Sequence, residues 1–211
     1  MPRSTTLLLA LALLPAVARA QHPYRHFTDA VDMRYARSHP VISYRLRVDS
    51  ADLSGFAVEM RIRNAPDTVR LAMAAHPEYD DRYWRYLEEL RVETREGTLT
   101  AVREDSASWR VVAPRGSELL VRYRIRLPTP AESPRAAWRP FLAPTGGLVG
   151  GPHAFLYLLG ATLAPSHVVL ELPASWTIAT GLEPTADPRT FFARTVDALV
   201  DSPIMAGRVH D

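Results

Sequence analysis

The ten residues ELLVRYRIRL, Glu118 to Leu127, decide what kind of fold this chain adopts. Leu119, Val121, Tyr123, Ile125 and Leu127 fall on one side of an extended backbone, and Arg122, Arg124 and Arg126 on the other. Successive side chains of a β-strand point to opposite faces, so a period of two marks a strand with one face in a core and one in water. Two earlier runs share the pattern. In Val41–Asp49, Ile42, Tyr44, Leu46 and Val48 alternate with Ser43, Arg45 and Arg47. In Phe56–Arg63, Phe56, Val58, Met60 and Ile62 alternate with Glu59, Arg61 and Arg63. With Ser50–Gly55 as connection these two runs form an antiparallel pair, whose Arg and Glu faces can meet across the strands.

Outward from these runs the chain keeps the same habit. Asn64-Ala65-Pro66-Asp67 is a turn, and Val69, Leu71 and Met73 give a third strand. Arg91–Thr94 and Leu99–Arg103 read as a hairpin about Glu96-Gly97, and Trp109–Ala113 as a short strand. Trp138–Leu142, Phe155–Leu159, Val168–Leu172, Trp176–Gly181 and Phe191–Val196 are further extended pieces, and Asp197–Val200 a turn of helix. Tyr83, Tyr86, Leu87 and Leu90 have helical spacing, with Asp80 or Asp81 as a cap. About ten to twelve strands with turns between them predict an all-β, mainly antiparallel sandwich with one or two short helices. Its expected core contains Tyr44, Leu46, Val58, Met60, Leu71, Val121, Tyr123, Ile125, Leu170 and Trp176.

The first twenty residues stand apart. Arg3, an apolar run from Leu7 to Val17 and Ala18-Arg19-Ala20 follow the order of a secretory signal peptide. As a helix the run spans about 16 Å, half of a hydrocarbon core of about 30 Å, so it is not read as a membrane span. The expected organisation is a signal peptide over residues 1–20, a lead-in over 21–40 and one β-sandwich over 41–211, in an exported protein of the periplasm or exterior. There is no cysteine, so the domain relies on its core alone. Of 25 basic residues, all of them arginine, Arg3 and Arg19 leave with the leader; 23 then face 23 acids. The sequence pI of about 9.1 therefore overstates the basicity, and arginines matched by acids do not make a nucleic-acid surface.

Several clusters invite chemistry, and each has a plainer reading. His22 and His26 sit four apart, but Pro23 between them argues for solvated histidines. His76, Glu78, Asp80 and Asp81 read as an acidic loop rather than a metal site. Arg122, Arg124 and Arg126 read as a solvated face pairing with acids rather than an anion groove. Gly146, Gly147, Gly150 and Gly151 lack the Lys-Ser or Lys-Thr of a phosphate loop and read as a loop between strands, with His153 opening the next strand.

Three local patterns, taken in order, resemble one family. They are ISYRLRVDS with FAVEMRIRN; SWRV, SELLVRYRIRL and the glycine stretch into HAFLYLLG; and VVLELPASWTIATGL with FFARTVDALVDSPIMAG. Together they are similar to the N-terminal domain of the M61 peptidases, the glycyl-aminopeptidase-like zinc enzymes. In these a β-rich N-terminal domain precedes a thermolysin-like zinc domain, and often a PDZ domain follows. The chain departs from the family at Ala74-Ala75-His76-Pro77-Glu78-Tyr79, where members commonly carry a Pro-Gly turn. More important, the family's zinc signature is His-Glu-x-x-His, two imidazoles one helical turn apart with a water-activating Glu between. None of the seven histidines here fits it.

No catalytic, metal or cofactor-binding residue is therefore assigned. The resemblance implies a non-catalytic accessory domain of an exported zinc aminopeptidase. It would pack against a catalytic domain in cis that carries the zinc, and help shape the substrate cleft. The alternative is a free-standing extracytoplasmic β-sandwich that binds a peptide, protein or glycan. The first reading expects an apolar surface of roughly several hundred Å² where the catalytic domain sits. Pro140–Leu148, Leu158–Leu163 and Ile204–Met205 are its candidates.

Overall fold

The structure, a computed structural model, describes residues 39–74, 82–132 and 139–208. The leader, most of the lead-in, the His22/His26 pair, the acidic loop and Trp138 lie outside these residues. The strands are β1 (Val41–Asp49), β2 (Asp52–Arg63), β3 (Thr68–Met73), β4 (Leu87–Thr94), β5 (Gly97–Leu99), β6 (Ala101–Arg103), β7 (Ser108–Val112) and β8 (Leu119–Arg126). They continue as β9 (Phe141–Ala143), β10 (Gly146–Gly150), β11 (Leu156–Leu158), β12 (Ser166–Glu171), β13 (Thr177–Thr180), β14 (Glu183–Pro184), β15 (Thr190–Ala193) and β16 (Pro203–Gly207).

They make three sheets. The large one has the order β14-β15-β12-β1-β2-β8-β4-β5. The two small ones run β13-β16-β10-β9 and β11-β3-β7-β6. Pairing is antiparallel except between β1 and β12, where Ile42 to Arg47 lie parallel to Ser166 to Glu171. This is the predicted all-β sandwich, and every residue of the expected core is buried, Leu46, Met60, Leu71 and Val121 completely.

One cluster of apolar side chains joins the three sheets. The large sheet contributes the inward rows of β1, β2, β8 and β12; the small sheets contribute Leu71, Val111 and Leu156, and Val149, Ile204 and Ala206. Two tyrosines pin the layers together. The Tyr44 hydroxyl donates to the Leu156 carbonyl at 2.9 Å. The Tyr123 hydroxyl donates to the Ala154 carbonyl at 2.7 Å and accepts from the Leu156 N–H at 2.9 Å. Burial pushes both phenols above their ordinary titration range, so they stay neutral, hydrogen-bonding groups. The Tyr44 ring also meets Phe155 edge-on at 5.1 Å.

Four expectations needed correction. The glycine stretch is no free loop: Gly146–Gly150 is β10, paired with both β9 and β16. Glycine is required there for proximity, since a Cβ on Gly147 would lie 2.5 Å from the Phe141 carbonyl oxygen. His153 does not open a strand; it closes the 3-10 turn Gly151–His153, buried, with Nδ1 3.0 Å from the Gly150 carbonyl oxygen. The helical spacing over 83–90 is realised only as one 3-10 turn, Tyr83–Tyr86, after which Leu87 and Leu90 belong to β4. A bulge between Glu88 and Arg91, with Glu89 at φ 56°, adds residues to the strand, so its apolar positions imitate a helix. Finally, Leu99–Arg103 is not one strand. It breaks at Thr100, β5 staying on the large sheet and β6 joining β7 on a small one.

The C-terminal part follows its sequence closely. Val196–Asp201 is the expected helix, capped by the Thr195 hydroxyl, which accepts from the Ala198 N–H at 3.2 Å. Ser202 closes it by donating to the Ala198 carbonyl at 2.7 Å. β16 then carries the chain back between β13 and β10.

Candidate functional site

The described residues hold no group of three or more His, Cys, Asp or Glu side chains in a metal-binding arrangement. Two of the described histidines, His153 and His167, serve packing. His153 stands edge-on to Tyr83 with ring centres 3.7 Å apart. His167 packs beside Phe192 at 5.2 Å, and partial burial lowers its pKa. What distinguishes the molecule is the contrast between its two outer faces.

The outer face of the large sheet is a lattice of ion pairs. Arg45 reaches Glu171 at 3.2 Å. Arg61 meets Glu118 at 2.6 Å, and Arg122 bridges Glu59 at 3.2 Å and Glu93. Arg124 meets Asp52 at 2.9 Å, and Arg126 takes Glu88 at 3.4 Å and Glu132 at 2.9 Å. The arginines of Glu118–Leu127 are thus matched by acids from neighbouring strands and loops, as their sequence setting predicted. Exposed pairs of this kind contribute little because solvent screens them, so the lattice marks a face wetted by solvent more than a source of stability.

The outer face of the β13-β16-β10-β9 sheet is its opposite. Cross-strand register places Phe141, Leu148, Met205 and Ala179 in one row. The next row on the same face is Ala143, Gly146, Gly207 and Thr177, and Pro203 adds a further exposed position on β16. None of these nine residues carries a charge, in a chain that is 23% charged. Phe141 is 52% exposed and Met205 56%. The inward face of the same sheet holds Val149, Ile204 and Ala206 in the core.

The three candidate apolar stretches therefore divide by alternation. Phe141, Leu148, Leu159, Leu163 and Met205 reach the surface to differing degrees, while Pro140, Leu158 and Ile204 are buried. Sequence reading missed Thr177, Ala179 and Pro203 as parts of the face, because no local pattern announces which strands lie side by side.

Residues 43–208 match the sequence profile described as the Peptidase M61 N-terminal domain. The chain belongs to this family. The match covers every strand from β2 to β16 and most of β1, so the whole described sandwich is the M61 N-terminal domain. Among solved structures, an aminopeptidase N family protein from Idiomarina loihiensis is similar over 79% of this chain and 29% of its own, at 20% identity and a TM-score of 0.68. The M1 zinc metallopeptidase of Deinococcus radiodurans aligns over 79% of this chain and 41% of its own, at 15% identity and a TM-score of 0.48. Leukotriene A4 hydrolase of Saccharomyces cerevisiae aligns over 79% and 28%, at 11% identity and a TM-score of 0.44. At such identities the likeness to the Idiomarina protein is one of fold. The M61 N-terminal domain described here spans less than half the length of these solved chains. No curated protein matches it.

Proposed function

We propose that this chain is the non-catalytic N-terminal domain of an exported M61-type zinc aminopeptidase. It seats the catalytic domain of the same polypeptide on the outer face of the β13-β16-β10-β9 sheet and helps shape the substrate cleft. The observation that carries this reading is the uncharged face itself. Contiguous uncharged surface with exposed large apolar side chains is the kind that partners cover, and this one stands on a molecule whose other broad face is laced with ion pairs. Its position agrees: β16 lies inside that sheet, and the family match stops at residue 208, one residue past it. A following domain is thereby tethered within a few residues of the face. The residues described here do not suit a zinc ion, so the zinc and the water-activating Glu belong to the partner domain in this reading, and no chemical step is assigned to this chain. Export rests on the order of charged, apolar and small residues over 1–20.

The test is the gene sequence beyond codon 211 together with the purified chain. An open frame that reaches His-Glu-x-x-His supports the proposal, and a stop codon there refutes it. The purified chain should carry no stoichiometric zinc and leave a glycyl anilide intact. Stoichiometric zinc with turnover that a chelator abolishes would overturn the accessory role.

A further inference from the structure

The ion-pair lattice on the large sheet has a gap. At its centre Ala57 stands exposed, the small residue of a row that reads Glu171, Arg47, Ala57, Arg124 and Glu88 across β12, β1, β2, β8 and β4. The adjacent row reads Arg45, Glu59, Arg122 and Arg91. Ala57 is the floor of an open dish of about 460 Å³ whose walls are these charged side chains.

Two arginines on its rim are left over. Glu171, which lies opposite Arg47, is taken by Arg45, and among the described residues Arg47 has no ion-pair or hydrogen-bond partner. Arg91 lies directly opposite Arg122, which is already committed to Glu59 and Glu93; Arg91 has no partner among the described residues either. Like charges directly opposite on a sheet repel, so an Arg91–Arg122 pair costs stability unless an anion lies between them. Five guanidiniums line the dish against three carboxylates, and two of the three, Glu59 and Glu171, are engaged. The third, Glu89, is the residue at φ 56° in the bulge of β4. A glutamate in the left-handed region is strained, and bulges and strained residues cluster where a surface is shaped for binding.

We infer that this dish is a binding site for an acidic peptide, held through carboxylates by Arg47 and Arg91 with Arg122 between them. Planar guanidiniums form paired N–H···O bonds to carboxylates, and free ones keep that capacity in full. The geometry suits an extended peptide lying across the strands. β1 and β4 are three strand spacings apart, about 14 Å, and two arginine arms narrow that span toward the roughly 7 Å between acids at positions i and i+2 of an extended chain. Glu89 then sets selectivity, since an unengaged carboxylate on the rim opposes the ligand. The site lies on the large sheet, away from the apolar face, and stands or falls independently of the catalytic-domain proposal.

The test uses the purified chain and a fluorescent hexaglutamate, followed by anisotropy at low ionic strength. Arg47→Gln and Arg91→Gln should each weaken binding about tenfold. Arg63→Gln, which removes an exposed arginine on the same sheet outside the dish, should leave it within about twofold. Glu89→Gln should tighten it severalfold, a gain that a misfolded variant cannot mimic. No saturable binding at millimolar peptide, equal losses for Arg63→Gln and the two dish variants, or displacement by inorganic pyrophosphate at lower concentrations than unlabelled hexaglutamate would each overturn the assignment.

Discussion

Tyr123 shows how much of this structure hangs on single polar atoms. Its hydroxyl satisfies both the Ala154 carbonyl and the Leu156 N–H in the core, while that of Tyr44 satisfies one group, the Leu156 carbonyl. Removing one partner of a buried hydrogen bond leaves the other with its full desolvation penalty, about 1–3 kcal/mol per group. Tyr123→Phe should therefore cost more than Tyr44→Phe, by about one such penalty, in urea unfolding followed by tryptophan fluorescence. Equal losses would mean that the ring, not the hydroxyl, does the pinning. The sequence told which face these tyrosines occupy, through the alternation of their strands. It did not tell what their hydroxyls hold, because the 154–156 backbone comes from another sheet.

At the scale of elements, legibility followed the regularity of the backbone. β1, β8 and the Phe56–Arg63 part of β2 were readable because every residue there obeys the two-residue period. Asp52–Gly55, read as connection, breaks it, with Gly55 and Phe56 both buried. β4 was misread because one bulge at Glu88–Arg91 shifts its phase, so Leu87 and Leu90 took on helical spacing. β10 was misread because glycines signal freedom, whereas here they permit contact. That account is testable. Gly147→Ala should push a Cβ against the Phe141 carbonyl oxygen, 2.5 Å away, and force β9 from β10. A loss of about 2 kcal/mol or more in thermal or urea unfolding is expected, well above the usual effect of a surface substitution. A stable variant would return the segment to the loop first read there. The candidate surface was legible only in part for a related reason: strand neighbours such as β13 and β16 are set by topology, which no short window of sequence contains.

For the whole molecule, hydrogen-bonded carboxylates make stability depend on acid pH. Glu132 is held down to about 2 from 4.5, first by its hydrogen bonds with Arg126 and then by those from Thr129. Asp52, Asp67, Asp105 and Asp187 are shifted the same way, chiefly by hydrogen bonds from Ser54, Arg115, Ser108 and the Arg189 N–H in turn. A carboxyl with a depressed value in the folded state lends its stability fully above its unfolded value and loses it as pH falls through the folded one. The midpoint of thermal unfolding should thus be level down to about pH 4.5 and fall steadily toward pH 2. Glu132→Gln should make that fall shallower. An acid limb identical to that of the unaltered chain would show that this carboxyl titrates alike in both states.

The parallel seam between β1 and β12 has a consequence for how the domain comes into being. β1 sits inside the large sheet, yet only β2 reaches it early; its other neighbour is spelled out in residues 166–171. A chain emerging N-terminus first, from ribosome or export channel, must carry β1 with one flank open until most of the domain has been delivered. Pairings between distant segments form slowly, and parallel ones most of all. An open apolar strand edge is meanwhile a template for other nascent chains. The hazardous interval in the life of this domain is therefore set by connectivity. Holdase binding before β12 arrives should matter more to its yield than any gain in the stability of the finished fold.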